Sequence, residues 1–150
     1  MAKRPYRPSY AAGVLALDSD WGVLAVSRQK PRKHKKVAHY MYDWGLPGGL
    51  SAVGEYPVNT AARELYEETG LTAPSGLLPL LVVPPELTSR GIPFHVFIPD
   101  GPLVGNMLRN TAEGAVAWVR PSTLTEVYDP GMSVAESNRY ILYWALGALW

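Results

Sequence analysis

Three glutamates fall within five residues of "RELYEETGL", Arg63 to Leu71, in a stretch that opens on a proline and closes on a glycine. Pro57 suits the first turn of a helix, where a missing N–H costs no intrahelical bond. Gly70 suits the left-handed residue that ends one. The spacing predicts a helix from about Pro57 to Thr69. Val58, Ala61, Ala62 and Leu65 recur at i, i+3, i+4 and i+7, which predicts one apolar stripe along it. Glu64 then neighbours both Glu67 and Glu68, and like charges so placed cost about a few tenths of a kcal/mol per pair. A segment selected for stability alone would not carry them. Something is expected to offset the repulsion.

The residues before the helix suggest what. "GGLSAVGEYP" opens on the paired glycines Gly48 and Gly49. Glycine allows positive φ and close backbone approach, so such a loop can turn a carbonyl toward a site. Glu55 lies just ahead of the helix, where a negative charge suits the positive end of the helix dipole. Arg63, eight residues on, is placed to pair with Glu55 or Glu67 and fix the loop against the helix. A backbone oxygen and several carboxylates then converge. Hard oxygen donors of this kind suit Mg²⁺ or Mn²⁺.

Charge along the chain points the same way. Residues 1–36 hold nine Lys/Arg and two Asp, a net of +7; residues 37–150 hold five Arg and eleven Asp/Glu, a net of −6. Such asymmetry fits a polyanionic partner or a basic tail. An acidic site that must meet an anionic substrate needs a cation between them.

The rest of the chain reads as one α/β domain over residues 1–150. A strand is expected from Tyr10, ending in a turn at Asp18-Ser19-Asp20, with residues 21–28 as its hairpin partner. "DWGLPGGL" reads as a short strand entering a tight loop. Further strands are expected at 77–83, 92–98 and 115–119, and a last helix from about 133 to 149. Strands, helix, strands, helix suggest a mixed sheet with helices packed on it. The 47% hydrophobic composition supplies a core. The absence of cysteine excludes a disulfide framework and cysteine-held zinc, and fits a reducing, cytoplasmic setting. "MAKRPYRPSY" has no apolar run behind its basic start, so no signal peptide is expected. The longest apolar run, residues 141–150, is too short to span a bilayer, so no membrane partner is expected.

From Gly49 the chain runs Gly, five residues, Glu55, seven residues, Arg63-Glu64-Leu65, Tyr66, Glu67-Glu68, Thr69, Gly70-Leu71. This resembles the complete signature of the Nudix hydrolases, and the preceding "WGLPGG" and the strand ending "VLAVSR" are similar to the family too. The resemblance implies an α/β/α sandwich and an enzyme that hydrolyses a pyrophosphate link in a nucleoside diphosphate joined to another group. It implies Glu64, Glu67 and Glu68 as metal ligands, with Glu64 also a base, and Gly48 as donor of a carbonyl oxygen. Glu55 and Arg63 become the pair that orients the helix. Mg²⁺ or Mn²⁺ is the implied cofactor. In many relatives a later carboxylate completes the site; Glu113 is the candidate here, with an exposed loop glutamate as the alternative.

Other features carry two readings each. Arg28 resembles strand arginines that touch substrate phosphates in relatives, or is a surface arginine. Tyr40, Tyr42 and Trp44 are placed to stack on a base or to pack near the glycine turn. "KPRKHKK", residues 30–36, is a polyphosphate or RNA clamp or a solvated loop. His39 and His95 read as a loop residue and a strand residue rather than catalysts. "YWALGALW" is apolar around most of its circumference and suits the core or a subunit contact, leaving monomer and homodimer open. Nucleoside triphosphates are the favoured substrates. ADP-ribose or nucleotide sugars come next, on the strength of Pro84-Pro85. Removal of a 5′ pyrophosphate from RNA and a non-catalytic nucleotide-binding module are the remaining alternatives.

Overall fold

A computed structural model describes residues 7–27, 44–108, 110–111, 114–125 and 135–147. Arg28, the basic run 30–36, His39, Tyr40, Tyr42 and Glu113 lie outside the described residues. Ten strands and three α-helices follow one another along these segments. They are β1 (Ala11–Val14), β2 (Val23–Ser27), β3 (Trp44–Gly45), β4 (Gly48–Leu50), α1 (Pro57–Thr69), β5 (Leu71–Thr72), β6 (Leu77–Val83), β7 (Phe94–Pro99), β8 (Val104–Gly105), β9 (Asn110–Thr111), β10 (Gly114–Val119), α2 (Pro121–Leu124) and α3 (Ala135–Gly147).

The strands form a mixed sheet in the order β4-β1-β7-β6, an antiparallel sheet in the order β3-β2-β10-β9, and a small β5-β8 pair. β1 sits inside the mixed sheet, antiparallel to β4 and parallel to β7. The hairpin expected between β1 and β2 exists at its tip. Asp18 Oδ1 accepts from the backbone N–H groups of Asp20 and Gly22, and Leu17 bridges Val23. Beyond that bridge the two strands part and enter different sheets. Each finds a longer partner elsewhere, β7 for β1 and β10 for β2.

Both faces of these central strands are buried. Ala12, Val14 and Ala16 join Leu24, Val26, Phe97 and Val116 in one apolar cluster with Ala61 and Leu65 of α1. Leu15, Val23, Ala25, Val83 and Val96 join a second cluster with Leu124 of α2 and Ile141, Leu142 and Ala145 of α3. Alternate residues of a strand point to opposite faces. So α1 covers one face of the strands and α3 the other, which is the expected sandwich. No described helix is long and apolar enough to cross a membrane.

α1 has the expected bounds, and Gly70 closes it at φ 78°, its N–H bonded to Tyr66 O at 2.8 Å. The expected stripe is corrected. Ala61 and Leu65 are buried, but Val58 is 39% exposed and Ala62 faces solvent. The buried line continues instead through Thr60, Glu68 and Thr69. The helix is rotated so that its polar side meets β4, and two apolar residues are left outside. The last helix spans Ala135–Gly147 within the expected range, and its Tyr143 and Trp144 are exposed rather than in the core.

Candidate active site

Glu55, Arg63, Glu64 and Glu67 meet where the 51–56 loop joins α1. Arg63 is the centre. Its Nε donates to Glu55 Oε2 at 2.8 Å and its Nη2 to Glu55 Oε1 at 2.9 Å, a two-pronged pair. Nη2 also donates to Leu50 O at 3.0 Å, which ties the helix to β4. Nη1 donates to Glu64 Oε1 at 3.0 Å and to Glu67 Oε2 at 3.1 Å. A guanidinium has five N–H groups, and these five bonds use them all. The sequence left Glu55 and Glu67 as alternative partners; Arg63 takes both and Glu64 as well. The charge that offsets the repulsion between Glu64 and Glu67 is therefore Arg63.

Glu55 is held from several sides. Its Oε1 also accepts from the Ala52 backbone N–H at 2.6 Å and from Thr60 Oγ1 at 3.0 Å. Bonding to Arg63, aided by these donors, pulls its carboxyl down to a pKa of about 2, against the opposing effect of burial. The same bond pushes the Arg63 guanidinium up from its ordinary value. Glu55 lies just ahead of the cap residue Tyr56, as expected, and no side chain caps the helix. The Glu55 carboxylate turns to Arg63 and Thr60. Thr60 and the Leu50 carbonyl were not anticipated, though Thr60 lies three residues before Arg63, one helical turn away. Tyr10 was not anticipated either. Its hydroxyl donates to Glu55 O across forty-five positions of sequence, with no local signal to announce it.

The paired glycines act by closeness. Neither has positive φ, unlike Gly54 and Gly70, and both lie in extended β4. A Cβ on Gly49 would sit 2.6 Å from Glu64 Oε1. A Cβ on Gly48 would sit 2.7 Å from Ala12 O and 2.8 Å from Gly13 Cα. Gly48 faces Gly13 across the ladder. Bare backbone thus lets β4 lie against β1 on one side and against the Glu64 carboxylate on the other.

The remaining candidates scatter. Glu67 is half-exposed, with 52% of its side chain open, whereas Glu68 is 7% exposed on the helix line that holds Ala61 and Leu65. Trp44 packs on the α3-side cluster, and its carbonyl accepts from the buried Asn138 Nδ2 at 3.0 Å. That is a packing position, on the face away from α1. His95 lies on β7, and burial lowers its pKa.

The donors suit a divalent ion. Glu64, Glu67 and Glu68 offer hard carboxylate oxygens, and Gly49 lies beside the Glu64 carboxylate. Two of the three carboxylates are engaged by Arg63, and among the described residues no three acidic or imidazole side chains are grouped so as to hold one metal ion.

A family model for the NUDIX domain matches residues 7–144. This chain belongs to the Nudix family. Its relatives include a CMP-5′-(N-acetyl-N-hydroxy-3-aminopropyl)phosphonate hydrolase of Streptomyces rubellomurinus, 33% identical over 77% of this chain and 55% of that one. An RNA pyrophosphohydrolase of Mesorhizobium japonicum is 33% identical over 61% of this chain and 49% of that one. The Nudix chain here spans about half the length of these curated relatives. The fold resembles that of the NUDIX domain of Shewanella oneidensis NrtR solved with ADP ribose, at 19% identity and a TM-score of 0.66, covering 97% of this chain and 90% of that one.

Proposed function

We propose that this Nudix protein is a divalent-metal-dependent hydrolase. It cleaves a pyrophosphate bond in a nucleoside diphosphate joined to another group, with nucleoside triphosphates the favoured substrates. The observation that carries the reading is the fully bonded Arg63, which locks the loop, β4 and the acidic face of α1 into one unit. Phosphoryl transfer asks a protein for alignment and charge stabilisation more than for covalent help. A rigid acidic platform meets that demand.

Glu64, Glu67, Glu68 and the Gly48 carbonyl would hold Mg²⁺ or Mn²⁺, with Glu113 as a further ligand. When bound, the ion would neutralise phosphate oxygens and lower the pKa of a coordinated water. Arg63 and Glu55 fix the helix and do not touch substrate. Glu64 Oε1 is taken by Arg63, which leaves Oε2 as the oxygen to accept a proton from the attacking water. Arg28 would bind a substrate phosphate, whereas Trp44, packed on the α3 side, is given no substrate contact.

A second reading rests on the RNA pyrophosphohydrolase relative and the basic residues 30–36: a 5′-triphosphorylated RNA as substrate. One assay separates these. Nucleoside triphosphates, ADP-ribose, a nucleotide sugar and a short 5′-triphosphorylated RNA are incubated with Mg²⁺ or with chelator, and released phosphates are resolved. Metal-dependent cleavage of a nucleoside triphosphate at the highest kcat/KM is expected. Preference for the RNA would favour the second reading. No cleavage of any member, with tight nucleotide binding retained, would make the protein a binding module.

A further inference from the structure

The 51–55 loop is pinned at both ends by one residue outside the signature. The Tyr10 backbone carbonyl accepts from Ser51 N–H at 3.1 Å, where the loop leaves β4. The Tyr10 hydroxyl donates to the Glu55 carbonyl, where the loop enters α1. Within the loop, Glu55 N–H bonds back to Ala52 O at 3.1 Å. The Tyr10 ring is itself placed, meeting the His95 ring edge-on at a 5.5 Å centroid distance and 74°. His95 belongs to β7, the strand beside β1.

We propose that Tyr10 is a positioning residue for the acidic face of α1, acting through Glu55 and Arg63. Glu55 is fastened by its carbonyl to Tyr10 and by its carboxylate to Arg63, Thr60 and Ala52 N–H. Releasing the carbonyl lets the Glu55 backbone drift, and the two-pronged pair with Arg63 loosens with it. Nη1 of Arg63 then no longer holds Glu64 and Glu67 in register. A phenylalanine would keep the ring contact with His95 and lose only the hydroxyl. The effect is therefore specific to one bond. The Tyr10 hydroxyl bonds the Glu55 carbonyl and reaches Glu64 by way of Glu55 and Arg63, so its influence is indirect.

The test is Tyr10→Phe, followed in two ways. Its kinetic arm rests on the hydrolase reading above; its spectroscopic arm rests on the geometry alone. In a ¹³C NMR titration of the Glu55 carboxyl, the midpoint is expected to rise from about 2 toward the ordinary 4.5. With the substrate found above, kcat is expected to fall about tenfold while KM stays within about twofold, since small misplacement of reacting groups is costly and ground-state binding is untouched. A Glu55 titration identical to the wild type would overturn the proposal, and a lowered Tm accompanying that result would assign Tyr10 to packing alone. Unchanged kcat and KM would overturn it as well. Should the wild type cleave nothing, the hydrolase reading fails and the Glu55 titration still decides the role of Tyr10.

Discussion

At the scale of single residues, the site is an arginine problem. Three closely spaced glutamates suggested a metal as the agent that offsets their repulsion, but a guanidinium with five satisfied N–H groups already does so for two of them. A lysine has three donors from a single point and no fork, so it cannot reproduce the set. The depressed Glu55 carboxyl turns this into a statement about pH. A carboxyl whose folded pKa lies below its unfolded value adds stability that is present in full above about 4.5 and is lost as pH falls through about 2. Part of Arg63 is open to solvent, so screening trims the contribution to about 1–2 kcal/mol. Unfolding by urea at pH 7 and at pH 2.5, for the wild type and Glu55→Gln, checks this. The wild type is expected to be the more stable at pH 7 and the gap to narrow at pH 2.5. An equal gap at both values would mean that Glu55 stabilises by packing and not by charge.

At the scale of elements, β4 and α1 are fitted by what the glycines lack. The two glycines fail differently when given a methyl group. At Gly48 the obstruction is backbone, Ala12 O and Gly13 Cα, and neither can turn aside. At Gly49 the obstruction is the far end of the Glu64 side chain, which can. Gly48→Ala is therefore expected to cost stability, about 1–3 kcal/mol as an overpacked core position. Gly49→Ala is expected to melt near the wild type while kcat falls about 10²-fold through displacement of Glu64. Thermal melts and steady-state rates on the two variants check the contrast, and equal loss of stability in both would refute it. The same fit explains why the apolar stripe was misplaced. Periodicity sees Val58 and Ala62 as core-facing, but the helix answers to Arg63 and the β4 edge, and rotates to bury Thr60 and Glu68.

At the scale of the molecule, the local signals were legible and the distant ones were not. Proline and glycine punctuation marked α1, and an unbroken apolar run marked β6, both to the residue. Nothing local could say that β1 and β2 would separate. That follows from Ala11 pairing with Phe94 and Val23 with Val119, contacts set by the whole core. Tyr10 escaped for the same reason. The uneven charge of the chain belongs to this scale too. Neutralising Lys33, Lys35 and Lys36 together is expected to change KM for a small nucleotide by less than about tenfold, with kcat unchanged. Any rise should shrink as salt increases, because exposed charges are screened over roughly 8–10 Å. A larger loss that persists at high salt would give the run a place in the substrate site.

The position of β1 between β4 and β7 also sets an order of events during synthesis. Once Leu71 has emerged from the ribosome the whole signature is out, along with β1 and β4, which pair in the folded chain. The other edge of β1 must wait for Phe94–Pro99, and until then it presents unpaired backbone beside apolar side chains. Open edges of that kind invite pairing with other chains, and distant partners are slow to arrive. A nascent chain halted after Leu71 would thus contain every signature residue and still lack the strand that steadies them. Its fate would be decided by chaperones and proteases rather than by nucleotides.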